Sequence, residues 1–234
     1  ADLSQLAAGR LRAQRLDRPY VRENGRLRAA TWAEAFAAIA AKMGPLHGKR
    51  IGAIAGDLAA VEDMFALKDL LSAFGSANFA TQSGAAFDPK LGRASYLFNP
   101  TIAGVEQADA LLIVGSNPRK EAAVLNARIR KRWRTGQLKV GVIGDKVPLT
   151  YDYEYLGAGP DTLADVAAGK HSFADVLRNA KNAIVLVGAG VAARHDGAAA
   201  LSLAAKLALD VGAVRDDWNG FAVLHTAASR VGAL

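Results

Sequence analysis

The residues from Glu106 to Gly144 constrain this chain more than any other stretch. They read as strand, tight turn, helix and strand. Ala110–Val114 is a short apolar run that ends at Gly115. Asn117 can cap a helix, with Pro118 at its first position, where a missing N–H costs nothing. Ala122, Leu125, Ile129 and Trp133 recur at helical spacing, and Gly136 can end the helix. Leu138–Ile143 is a second strand. This is a βαβ unit, so the expected class is α/β with a parallel sheet. The turn Gly115-Ser116-Asn117 falls at a strand's carboxyl end, where open α/β sheets bind ligands.

Several function classes are excluded or weakened by composition. There is no cysteine, so disulfides, thiol catalysis and thiolate-held iron–sulfur or zinc sites are absent from this stretch. The four histidines, His47, His171, His195 and His225, are scattered, which argues against a metal site. Absence of cysteine fits a cytosolic protein. No apolar run reaches the roughly 18 residues of a membrane span, and no secretory signal opens the chain. The first residue is Ala, which suggests a processed chain or an excised fragment. The net charge of +7 raises a nucleic-acid surface on one side and an acidic partner protein or solvated basic face on the other. Basic residues gather in Arg10–Arg28 and Arg128–Arg134 with one aromatic in each, Tyr20 and Trp133, and not the interleaved aromatics of a stacking platform, so the pattern argues against nucleic acid.

Residues 1–30 read as an extended, arginine-rich connector with a small hairpin. Tyr20–Arg22 pairs with Arg26–Arg28 around Asn24-Gly25. Thr31 and Glu34 form a capping box before a helix whose apolar face is Trp32, Phe36, Ile39 and Met43. Arg50–Ala55 is a strand, Val61–Phe74 a helix and Ser76–Ala80 a short strand, a further βαβ unit. Thr81–Gly104 has no period and is expected to be a functional loop or a plain insertion. Residues 31–150 therefore form a first α/β lobe. Asp145–Pro160, with Tyr151, Tyr153 and Tyr155, reads as a link to a second lobe over 151–234. That lobe has helices over Asp161–Ala168 and Ser172–Ala180, a strand at Ala183–Val187 and a helix over Asp196–Leu209. A last helix is expected from Phe221, with no closing strand, so the second lobe reads as truncated.

Two turns are candidate sites. Arg119 and Lys120 stand at a helix start, where cations are disfavoured. Arg119, with the amides after Ser116, can hold a phosphate or carboxylate. The competing reading is a surface arginine on a well-made turn. Gly188-Ala189-Gly190 follows a strand and formally fits G-x-G-x-x-A, with Asp210 about 20 residues on. Arg194 to Gly197 interrupt where the fingerprint helix should run, and Asp210 ends a helix, which weakens a dinucleotide site. The acids Asp57, Glu62 and Asp63 read as first-turn residues, and His195 and His225 as polar or capping residues. No catalytic set emerges from spacing, nor any metal site.

RLDRPYVRENGRL, TWAEAF, LFNPTIAGVEQADALLIVGSNPRKEAAVLNARIRK and VPLTYDYEYLG closely resemble the large iron–sulfur subunits of respiratory complex I, NADH:quinone oxidoreductase, of the alphaproteobacterial and mitochondrial type. The resemblance covers residues 15–234. It implies lobes of the molybdopterin oxidoreductase fold, lying after a cysteine-rich domain that carries 2Fe-2S and 4Fe-4S clusters elsewhere in the parent chain. It implies membership of a peripheral arm at the cytoplasmic face of a bacterial inner membrane, or the matrix side of the mitochondrial one. Other arm subunits are the implied partners, and those partners bind NADH and quinone. In cofactor-bearing relatives, turns like Gly115–Pro118 and Gly188–Gly197 face the nucleotide ends of a pterin cofactor. Where those enzymes read Asp-Pro-Arg, this chain reads Gly144-Asp145-Lys146-Val147-Pro148, which agrees with cofactor loss. The expected role is a cofactor-free scaffold, with Gly115, Ser116, Asn117, Arg119, Gly188 and Gly190 as vestigial anion turns. The alternative is a working pterin- or nucleotide-binding oxidoreductase domain.

Overall fold

A computed structural model describes residues 16–81 and 87–233. The chain divides into two units, Ala1–Ala53 with Ala66–Ala80, and Ile54–Phe65 with Thr81–Leu234. The arginine-rich stretch before residue 16 lies outside the described residues.

In the first unit, β1 (Tyr20–Glu23) and β2 (Arg26–Ala29) form the expected hairpin, with Val21 opposite Arg28. Asn24 and Gly25 both take positive φ, 50° and 81°, as a two-residue turn matched to strand twist requires. Helix α1 (Trp32–Met43) starts at the full Thr31–Glu34 capping box. Its apolar face is not a core face, because the helix contains no buried residue. The expected strand at Arg50 begins instead as a 3-10 turn, Gly48–Arg50, and only Ala53–Ala55 (β3) is extended. A side chain on Gly48 would lie 2.3 Å from the Phe74 carbonyl oxygen, so close backbone packing sets that turn. Ser76 closes it with a 2.6 Å bond from Oγ to the Ile51 carbonyl. Helix α2 (Val61–Ala73) follows, and β4 (Phe79–Thr81) pairs with β3.

The second unit is built on a five-stranded sheet. In chain order its elements are α3 (Thr101–Val105), β5 (Ala110–Val114), α4 (Pro118–Glu121), α5 (Ala123–Trp133), β6 (Lys139–Ile143), β7 (Glu154–Gly157), α6 (Pro160–Ala167), α7 (Phe173–Arg178), β8 (Ala183–Val187), α8 (Ala189–Ala192), α9 (Gly197–Asp210), β9 (Val214–Arg215), β10 (Trp218–Asn219), β11 (Phe221–Val223) and α10 (Ala228–Ala233). The sheet order is β11-β8-β5-β6-β7, and every neighbouring pair is parallel. All five residues of β5 and of β8 are buried. Successive side chains point to opposite faces. Ala110, Leu112 and Val114 therefore join Leu163, Phe173, Leu177 and Leu207 from α6, α7 and α9. Leu111 and Ile113 join Leu125 and Ile129 from α5, with Trp218. Helices thus cover both faces, the condition under which an all-parallel sheet is stable.

Several expectations fail for identifiable reasons. The single helix over 118–133 is broken at Ala122, which leaves helical geometry at φ −151° and ψ 69°. Asp145–Pro160 is not a link, because β7 lies within it and extends the same sheet beyond β6. The sheet takes β5 and β6 from before residue 150 and β7, β8 and β11 from after it, so no sheet boundary falls at that position. Phe221 starts a buried strand beside β8, not a helix. An apolar run of four residues, Phe221 to Leu224, carries no period to separate the two. The aperiodic segment up to Gly104 has a structural job at the sheet edge. Phe98 bridges Ala222, Val223 N–H donates to the Leu97 carbonyl at 3.0 Å, and the Asn99 amide donates to the Phe221 carbonyl at 2.7 Å. Such cover blunts an edge strand that would otherwise offer unpaired backbone groups.

Candidate functional site

The two glycine turns are brought together at the carboxyl ends of adjacent strands β5 and β8. Gly115 leaves β5 at φ +59°, and its N–H donates to the Ile143 carbonyl at 2.8 Å. Pro118 opens α4, with Asn117 at the cap position as expected. The Asn117 side chain does not cap, however, and its Oδ1 is buried without a partner. Glu121 turns back instead. Its Oε1 accepts the Asn117 N–H at 2.6 Å, and its Oε2 accepts the Ser116 hydroxyl at 3.1 Å. Charge-assisted bonds of this kind are roughly twice as strong as neutral ones. Arg119 does not reach the turn, and its guanidinium donates outward to the Pro148 carbonyl at 3.2 Å.

At the second turn, Gly188 N–H donates to the Val114 carbonyl at 2.9 Å. A side chain on Gly188 would lie 2.3 Å from Ser116 Cβ and 2.5 Å from the Gly115 carbonyl oxygen. One on Gly190 would lie 2.7 Å from that same oxygen. These glycines are therefore required by backbone packing between the turns. On the side where a Cβ would stand, they leave no open space.

Around the turns lies a cavity of about 410 Å³, whose polar lining includes Asn117, Lys120, Glu121, Asp145 and Arg194. Arg194 is engaged by Asp196 through bonds of 2.6 and 2.8 Å. A phosphate-bearing cofactor fits this turn poorly. Its Ser116 and Asn117 donors already hold a carboxylate, and Asp145 adds a second acidic group to the wall. Glu121 had no signal of its own in the sequence. It stands one position beyond the spacing of a capping box, and only the turn's backbone path brings its carboxylate to the donors.

The remaining candidates are structural. Asp57 takes a bidentate pair from Arg230 at 2.7 and 2.6 Å, and that guanidinium holds its carboxyl below the usual range. Asp63 accepts the Ala60 N–H at the start of α2. Tyr151 is buried, which pushes its phenol up, and its hydroxyl has no partner. Tyr153 both donates to the Val147 carbonyl and accepts its N–H, and Lys146 sits 5.3 Å above the Tyr155 ring. His195 is exposed. His225 lies 2.6 Å from the Tyr96 carbonyl, and burial holds its imidazole below the ordinary value. Among the described residues, no group of three or more His, Asp or Glu is placed to hold a metal ion.

The family model described as molybdopterin oxidoreductase matches residues 15–234. Curated relatives include the G subunit of NADH-quinone oxidoreductase from Rickettsia conorii, 45% identical over all of this chain and 35% of the relative. The Rickettsia bellii protein of the same name is 46% identical over 99% of this chain and 34% of the relative. A Solanum tuberosum protein, NADH dehydrogenase [ubiquinone] iron-sulfur protein 1, mitochondrial, is 41% identical over 96% of this chain and 30% of the relative. The chain thus spans about a third of the length of these relatives. Acetylene hydratase from Pelobacter acetylenicus superposes with a TM-score of 0.56 at 13% identity, over 82% of this chain and 34% of that one, a likeness of fold alone. A three-layer parallel sheet with paired strand-end turns, matched by one family model over all but its first residues, makes this chain a member of the molybdopterin oxidoreductase family.

Proposed function

We propose that this chain is the cofactor-free scaffold region of a complex I large iron–sulfur subunit. In this reading the parent enzyme carries electrons from NADH to quinone, and iron–sulfur clusters elsewhere in the subunit conduct them. Gly115, Ser116, Asn117, Gly188 and Gly190 are inherited turns that once faced an anion, and Arg119 has become a surface residue. The scaffold contacts other subunits of the peripheral arm, with NADH and quinone bound by those partners. It sits at the membrane periphery, on the cytoplasmic or matrix side. Among the described residues, no helix is long and apolar enough to cross a membrane.

One observation carries the reading: the Glu121 carboxylate takes the donors of the Ser116–Asn117 turn. A pterin dinucleotide or other nucleotide would have to expel an internal anion that is tethered beside its donors. The competing reading, a working nucleotide site, draws only on the cavity's place at the strand ends. Calorimetry with guanine and adenine nucleotides separates the two. The expected result is no saturable heat, with Arg119→Ala indistinguishable from the parent. Saturable binding that Arg119→Ala abolishes would establish the cofactor site and end the scaffold reading.

A further inference from the structure

 Helix α5 and the residue after it carry five basic residues in the seven from Arg128 to Arg134: Arg128, Arg130, Lys131, Arg132 and Arg134. The structure separates those it uses from those it does not. Glu106 takes Arg128 at 2.5 Å and Lys131 at 2.6 Å. Arg132 is spent on the Ala108 carbonyl and on Gln137, each at 2.6 Å. Among the described residues, no carboxylate pairs with Arg130 or Arg134. Both are exposed, and they line one shallow groove of about 470 Å³ with Ala127, Lys131 and Thr135.

Ala127, Arg130, Lys131 and Arg134 recur at i, i+3, i+4 and i+7, so they form one stripe along the helix, away from the buried Leu125 and Ile129. A helix's C-terminal dipole favours cations in its last turn. It does not call for two unpaired guanidinium groups one turn apart, which repel each other. Ala127 leaves the upper end of the stripe open. We propose that this stripe is a docking surface for an acidic protein segment. The partner presents two carboxylates about one helical turn, or ~5.4 Å, apart. Each would take an arginine in the bidentate geometry that guanidinium favours. A nucleic acid suits the stripe less well. Trp133, the one aromatic on the helix, is turned into the core with its ring 6.5 Å from that of Tyr151, so no stacking platform accompanies the charge.

The inference rests on the scaffold reading but fails separately from it, since nucleotide calorimetry is blind to this face. The test places Arg130→Glu/Arg134→Glu in the full-length subunit and measures the fraction recovered in the assembled complex. A drop of about tenfold is expected, as the loss of two charge-assisted pairs implies. Arg130→Lys/Arg134→Lys should assemble normally. Under carbodiimide coupling it should also form a new cross-link to a carboxylate of another subunit. Lys42→Glu/Lys68→Glu makes the same charge change on exposed residues elsewhere and should assemble normally. Normal assembly of the reversed variant, equal loss in the control, or absence of the cross-link would overturn the proposal. So would retention on duplex DNA at physiological salt that the reversal abolishes.

Discussion

The two strand-end turns look alike in sequence and do different work. Each follows a five-residue strand that is wholly buried, and each opens on glycine. At Gly115–Asn117 the donors survive and are filled from within by Glu121. At Gly188–Gly190 the space a side chain would need is filled by the backbone and Cβ of the first turn. A glycine-rich turn after a parallel strand is therefore two things that sequence does not distinguish. It is an anion cradle only where the face left bare by the missing Cβ opens on free space. Here that face opens on a neighbouring turn.

The largest effect that could break this contrast is at Gly188. Its backbone, at φ −95° and ψ 174°, is open to any residue, so the loss in Gly188→Ala would be steric alone. Overpacking against fixed backbone predicts a destabilisation of about 3 kcal/mol, read by urea unfolding. Gly56→Ala, where a Cβ meets nothing within 4 Å, should stay within about 0.5 kcal/mol. Equal effects at the two positions would refute the packing account of the second turn. Glu121→Ala comes next. It strips the Asn117 N–H and Ser116 hydroxyl of a charged acceptor and should cost about 2 kcal/mol, with faster amide exchange at Asn117. Glu121→Gln keeps an acceptor and should cost about half as much. Unchanged stability and exchange in both would show that the carboxylate does not hold the turn.

A smaller, pH-dependent effect separates both turns from general acid lability. Arg230 depresses the Asp57 pKa in the folded state. The pair's contribution is therefore complete above the unfolded value of about 3.9 and is lost as pH falls through the lower folded value. In Arg230→Gln the Asp57 carboxyl should titrate close to that unfolded value by carbon NMR. A titration that stays depressed would mean that another group holds it.

How much was legible varied with the physics of each element. The Asn24-Gly25 hairpin and the Thr31–Glu34 capping box depend on a few adjacent residues, and both formed as read. The runs at Ala110–Val114 and Ala183–Val187 are long enough to declare buried parallel strands. Phe221–Val223 is too short to declare anything, and its identity as a strand comes from β8 beside it. The same holds for β7, which hides in a stretch rich in tyrosine, glycine and proline.

At the site, the chain's own pattern placed both turns at strand ends and named their glycines, and the family resemblance marked the Gly144–Pro148 segment as altered. It also excluded thiolate chemistry outright, because that follows from composition. What covers each turn was a matter of tertiary structure alone. Ser116 and Gly188 are 72 residues apart, and their contact exists only because β5 and β8 became neighbours in the sheet. Glu121 reaches back to its donors because Gly115 turns left-handed and α4 stops after one turn. Local residue choice sets which groups are on offer, and long-range packing sets which of them are already taken.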